Sequence, residues 1–206
     1  MTIKTLALAA ALSALTAASG FAATVQLNVV GGQLLGARNV DVNGTLYDVE
    51  FVDDTCAAIF GGCDDVSDFD FPTLGLAEAA AISLGETVFV DGPLGNFDSD
   101  HGLTAGISSA GGLGFGIIMV PYGFSSNAGI RRVAGRSFLN EDDGDSLTFS
   151  SIPIGSDLSS DDNIAFARFT LSQLTPIPLP AGGFLLIAGL AGLGGLRAWR
   201  SKDTAH

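Results

Sequence analysis

Between Gly36 and Val52 the chain alternates apolar and polar side chains in two runs, GARNVDV and TLYDVEFV, joined by Asn43-Gly44. A period of two marks a half-buried strand, and Asn-Gly between two such runs calls for the type I′ turn of a two-residue hairpin. That loop sets Val42 opposite Thr45 and Val40 opposite Tyr47. Val40, Val42, Tyr47, Val49 and Phe51 then share the core face, and Asn39, Asp41, Asp48 and Glu50 the wet one. A first strand is predicted before it, over Thr24 to Val30. From Thr73 to Gly85 the period becomes helical, with Thr73 as cap, Leu74, Ala77, Ala81 and Leu84 at buried spacing, and Gly85 as stop. Strands are predicted afterwards at Thr87 to Val90, Gly114 to Tyr122, Ile130 to Leu139, Ser146 to Pro153 and Asn163 to Leu174. This order predicts a mainly β (α+β) domain, either an antiparallel sheet or a small sandwich with one covering helix. No period of roughly 20 to 50 residues recurs, which argues against a solenoid.

The apolar pattern loses its alternation at both ends. Behind Lys4, the run from Leu6 to Ala18 is apolar but too short to span a bilayer as a stable helix, the arrangement of a signal peptide. Small Gly20 and Ala22 predict cleavage after Ala22 and a mature start at Ala23; the competing reading is a buried N-terminal helix. At the other end Pro176, Pro178 and Pro180 impose a stiff extended spacer. An apolar run from Gly182 to Leu196 follows, about 23 Å long at the helical rise, and Ala181 with the stems of Arg197 and Trp199 extends it to a transmembrane helix over 181–199. Arg197, Arg200 and Lys202 place the tail in the cytoplasm and the domain outside. The expected organisation is a signal peptide at 1–22, an exported β-rich domain at 23–175 and a sorting segment at 176–206.

The sequence Ile177-Pro178-Leu179-Pro180-Ala181, its Gly/Ala/Leu helix and the basic tail together resemble the VPLPA-CTERM variant of the PEP-CTERM sorting signals, with Ile177 in place of the usual Val. The resemblance covers about 25 residues of the chain. It implies recognition by an exosortase, a membrane-embedded enzyme of Gram-negative bacteria, which cuts near the proline motif. Ile177, Pro178, Leu179, Pro180 and Ala181 are then substrate positions. The protein would be held at the inner membrane before processing, then released or transferred to the cell surface or extracellular matrix. The segment TLYDVEFVDDTC also resembles mature regions of other PEP-CTERM proteins, without naming an activity. The alternative for the C-terminal run is a permanent single-pass anchor.

Charge narrows the partners. The chain carries a net −13, and between Ala23 and Pro180 five arginines face 21 acidic residues with no lysine, a net of −16. Such a field repels phosphate backbones and anionic lipid heads, so no nucleic-acid partner is expected and cations are the natural counterparts. Calcium is the candidate ion. Acidic clusters occur at Asp64, Asp65, Asp68 and Asp70; at Asp98 and Asp100; from Glu141 to Asp145; and at Asp161, Asp162 and Asn163. The stretch NEDDGD comes closest to a calcium loop, with Asp142, Asp143 and Asp145 as ligands and Gly144 for the turn, but it lacks a downstream bidentate Glu. Solvated acidic loops are the competing reading.

An exported chain meets an oxidising compartment, which favours a disulfide between Cys56 and Cys63. His101 is the only histidine between the terminal segments, and its setting, NFDSDHG, reads as a solvent-exposed loop. No nucleophile elbow, zinc helix or phosphate loop accompanies it, so no catalytic residue is assigned. Three function classes follow. The first is a non-catalytic structural or adhesive surface protein whose partners are exosortase and surface polysaccharide or matrix. The second is a calcium-dependent carbohydrate- or partner-binding module, and the third a secreted hydrolase using paired carboxylates.

Overall fold

A computed structural model describes residues 24–109, 114–141 and 144–173. The signal peptide with Ala22 and Ala23, the sorting motif at 177–181, the 181–199 helix, and Asp142 and Asp143 lie outside the described residues. Among those described, no helix is long and apolar enough to cross a membrane.

The hairpin forms as the pattern requires. Strands β2 (Gln33–Val42) and β3 (Thr45–Val52) turn at Asn43 and Gly44, whose φ values of 53° and 84° meet the type I′ demand. Asp41 Oδ1 accepts from the Gly44 N–H at 2.6 Å and closes the turn. Val42 opposes Thr45 and Val40 opposes Tyr47. Val40, Val42, Val49 and Phe51 are buried. Beyond Val40 the register slips at Asn39, which takes φ 59° while its N–H donates to Asp48 Oδ1, so Ala37 comes to sit opposite Val49. At Gly36 a Cβ would strike the Val49 carbonyl, so glycine lets the two backbones close here.

Strand β1 (Gln26–Val30) flanks β2. After the hairpin come the one-turn helix α1 (Cys56–Phe60) and the long helix α2 (Leu74–Thr87). A minimal ribbon follows, β4 (Asp91–Gly92) with β5 (Gly95–Asn96). The chain then supplies β6 (Phe115–Asn127), β7 (Ile130–Glu141), β8 (Ser146–Pro153) and β9 (Ile164–Leu171). Among the described residues seven strands form one sheet in the order β1-β2-β3-β9-β6-β7-β8. The sheet is mixed, which corrects the antiparallel expectation: β9 inserts between the two hairpins, antiparallel to β3 and parallel to β6 over three residue pairs. Periodicity marks a strand but carries no information about its neighbour's direction.

Helix α2 starts where expected, Thr73 Oγ1 accepting from the Leu76 N–H at 3.4 Å. Three details differ. Gly85 does not stop the helix, which continues to Thr87; a Cβ at Gly85 would overlap the Phe138 ring edge, so this glycine serves helix-on-sheet contact. Leu74 is 39% exposed, and the buried stripe runs through Ala77, Ala80, Ala81, Leu84 and Val88. The segment Thr87 to Val90 is no strand: Thr87 ends α2, and Val88 and Phe89 fold back with their N–H groups on the Leu84 carbonyl.

Both faces of the sheet are covered. On one, α2 packs over β2, β6 and β7, and its buried stripe shares a core with Phe71, Phe89 and Phe97 and with Val49, Phe51, Ile118, Val120, Phe138, Ala165, Ala167 and Phe169; on the other, Cys56, Ile59, Cys63, Phe69 and Leu158 cover Met119, Val133, Ile164 and Phe166. Burial on both sides explains why β9 reads as IAFARF, apolar nearly throughout instead of alternating. The chain must pass from one face to the other between α1 and α2. It does so at Phe69-Asp70-Phe71, with the Phe69 ring 5.2 Å from that of Phe124 in β6 and the Phe71 ring 4.9 Å from that of Phe169 in β9.

Candidate functional site

The acidic clusters are loop builders first. Asp68 Oδ2 accepts from the Asp64 and Asp65 N–H groups, and those backbone bonds hold its carboxyl below the usual range. Asp65 is lowered in the same way by the Ser67 N–H and hydroxyl. Asp157 is lowered by the Ser159 hydroxyl and N–H. Asp161 Oδ1 accepts from the Asn163 N–H. With Asp162, Ile152 and Leu158, these last residues line an open groove of about 600 Å³ at the end of β8.

One corner departs from this pattern. The carboxyl of Asp91 accepts from the Asp98 N–H (3.0 Å), the Ser99 N–H (3.2 Å) and the Ser99 hydroxyl (2.8 Å), and the hydroxyl bond leads in lowering its pKa. This pins the loop after β5. Phe97 is fully buried and its carbonyl accepts from Asn140 Nδ2 at 2.7 Å, tying the loop to the end of β7. Asp98 is thereby brought to Asp145, whose Oδ1 accepts from the Glu141 N–H at 3.1 Å. The Asp145 carboxyl is pushed up to about 6, by loss of surrounding water first, then by a hydrogen bond shared with the Asp98 carboxyl and by the charges of Asp98 and Glu141. Glu141 Oε1 in turn accepts from the Ser146 hydroxyl at 3.3 Å.

Of the expected calcium ligands, then, Asp145 is described, and the acid it meets is Asp98, 47 positions earlier, joined to it by tertiary structure alone. Among the described residues no group of three or more histidine, cysteine or acidic side chains is arranged to hold a metal ion.

The expectation for His101 is corrected. It is 5% exposed, at the start of a short 3₁₀ turn, His101–Leu103, capped by Asp100. It packs against β6 at Gly116, where a Cβ would come 3.3 Å from the His101 Cβ. Sequence alone could not show this, because the Asp-rich surroundings are polar while the imidazole turns inward.

Cys56 and Cys63 are joined by a disulfide, with Cα atoms 5.8 Å apart and both residues 1% exposed. The bridge closes a loop opened by the Thr55 cap and turned at Gly61, where φ is 75°. Two arginines hold main chain. Arg131 donates to the Asp64 carbonyl at 2.6 Å and stacks on Phe124, and Arg132 donates to the Ser151 hydroxyl and carbonyl. Among the described residues Arg136 forms an ion pair with Glu78 of α2 at 3.2 Å. When the chain is compared with known proteins, no family model, no curated protein and no solved structure matches it.

Proposed function

We propose that this is an exported surface or extracellular-matrix protein, processed by exosortase, with a structural or adhesive and non-catalytic role. The observation that carries the reading is the C-terminal succession of Ile177-Pro178-Leu179-Pro180-Ala181, apolar run and basic residues behind an N-terminal signal-like segment. The disulfide across Cys56 and Cys63 supports it, since such bonds persist outside the reducing cytosol. So does an acidic surface whose carboxylates largely stabilise loops. Intact-mass measurement on the surface fraction tests it: the expected chain begins at Ala23 and ends near Pro180-Ala181, and recovery of chain still carrying Trp199 overturns the sorting step.

A second reading, calcium-dependent binding of carbohydrate or a protein partner, is favoured by the pairing of Asp98 with Asp145 beside Glu141. A divalent ion held there would offset the mutual repulsion of Asp145, Asp98 and Glu141. At neutral pH, millimolar calcium then raises the melting temperature of the native chain but not that of Asp98→Asn. No shift in either ends this reading.

A further inference from the structure

The sheet has two outer strands, and they differ. β1 is five residues long and broken by a register shift between Asn28 and Val29, a common way to blunt an edge. β8 pairs with β7 over eight residues without a shift, from Leu139↔Ser146 to Arg132↔Pro153. From Ser146 to Ser156 it carries no charge. This stands out in a domain with a net of −16.

The direction of the unspent hydrogen-bonding groups follows from the ladder. The Ile154 N–H donates to the Arg131 carbonyl, so the pairs Ile152–Val133, Ser150–Gly135, Thr148–Ser137 and Ser146–Leu139 are the bonded ones in strict alternation. Leu147, Phe149 and Ser151 therefore turn their N–H and C=O groups outward. Pro153 shares that outward phase and has no N–H to waste, which is where proline is tolerated in an edge strand. Arg132 already occupies the Ser151 carbonyl. Among the described residues the open window is Leu147 and Phe149. Beside it lies the Phe149 side chain, 61% exposed and touched on one side by the Arg136 guanidinium at 4.5 Å.

From this we infer that β8 is a self-pairing edge whose occupant is β8 of a second copy, antiparallel and centred on Thr148. In that register Leu147 and Phe149 of one copy exchange N–H···O=C bonds with Phe149 and Leu147 of the other. The arrangement uses every free group in the window and spares Ser151. It continues the same face, so the exposed Phe149 ring lies across from Leu147 of the second copy. It also sets Asp145 opposite Ser151 of the second copy, the residue that copy's Arg132 holds, so opposite charges meet at both ends of a contact between two anionic domains. The interface is isologous and closes at a dimer. The inference goes beyond the surface-protein reading and does not depend on export or processing, so either can fail alone.

Oxidative cross-linking of the purified full-length chain in mild detergent tests the register. Thr148 faces itself at a non-bonded position, where Cα atoms about 4.5 Å apart admit a disulfide. Thr148→Cys is expected to shift to twice the chain mass on a non-reducing gel. Asn127→Cys, at the exposed tip between β6 and β7, is expected to stay at one chain mass. In sedimentation of the otherwise native chain, Phe149→Lys is expected to abolish the dimer without moving the melting transition by more than a few degrees, since that side chain is mostly in solvent. Equal cross-linking at Asn127, preferential cross-linking through Asn28→Cys on β1, or a native chain that sediments as a monomer overturns the proposal.

Discussion

Asp70 accepts a hydrogen bond from the Phe169 main-chain N–H at 2.8 Å, across 99 residues of sequence, at the place where β9 and β6 part. The parallel ladder between them ends at Met119↔Phe166, and Pro121, two residues on, brings no N–H of its own. Past that point β9 would show a bare edge. Asp70 fills it with an acceptor while Phe69 and Phe71 anchor the crossing on opposite faces.

Removing that acceptor has a defined cost. Asp70→Ala is expected to lower unfolding stability by about 1 kcal/mol, because the Phe169 N–H loses its partner and water reaches it only partly. Asp70→Asn keeps an oxygen there and is expected to cost less. Withdrawal from water raises the Asp70 pKa, with the Phe169 N–H and Arg168 opposing, so the neutral amide also escapes that penalty. Urea unfolding midpoints for the two variants check the order; Asn as damaging as Ala would refute it.

Asp145 predicts a pH dependence. Its carboxyl holds a proton more tightly folded than unfolded, so the contribution is fully present below about pH 3.8 and declines as pH rises to about 6. As the residue remains largely in solvent, the loss is about 1 kcal/mol. Melting temperatures of the native chain and Asp145→Asn are expected to converge at acid pH, with the variant higher at pH 7. Parallel pH profiles would contradict the raised Asp145 pKa.

Two glycines of α2 should respond oppositely to alanine. At Gly75 a Cβ meets open space, and Gly75→Ala is expected to add roughly 0.5 to 1 kcal/mol. At Gly85 the same methyl runs into Phe138, and Gly85→Ala is expected to destabilise by roughly 1 to 3 kcal/mol despite better helix propensity. Thermal unfolding of the pair decides whether contact or propensity governs Gly85.

Opening the disulfide is expected to cost roughly 2.5 kcal/mol for so short a loop, enough to loosen the layer of Ile59, Phe60 and Phe69 without unfolding the sheet. A Cys56→Ser, Cys63→Ser double variant should bind a hydrophobic dye more strongly while keeping its far-ultraviolet circular dichroism. An unchanged melting temperature would show the bridge to be dispensable.

What the sequence by itself determined was local. The Asn43-Gly44 turn, the registers of Val42 with Thr45 and Val40 with Tyr47, the Thr73 cap and the span Ser146 to Pro153 all stand as read. The turn, its registers and the cap rest on torsions or hydrogen bonds between residues a few positions apart, and the residue types state those preferences directly. The tertiary structure alone decided the rest: β9 between β3 and β6, Gly85 against Phe138, His101 turned inward, and Asp98 brought to Asp145. A period of two says which residues share a face. It does not say which strand lies alongside, because the main-chain groups that pair across a sheet are the same in every residue except proline.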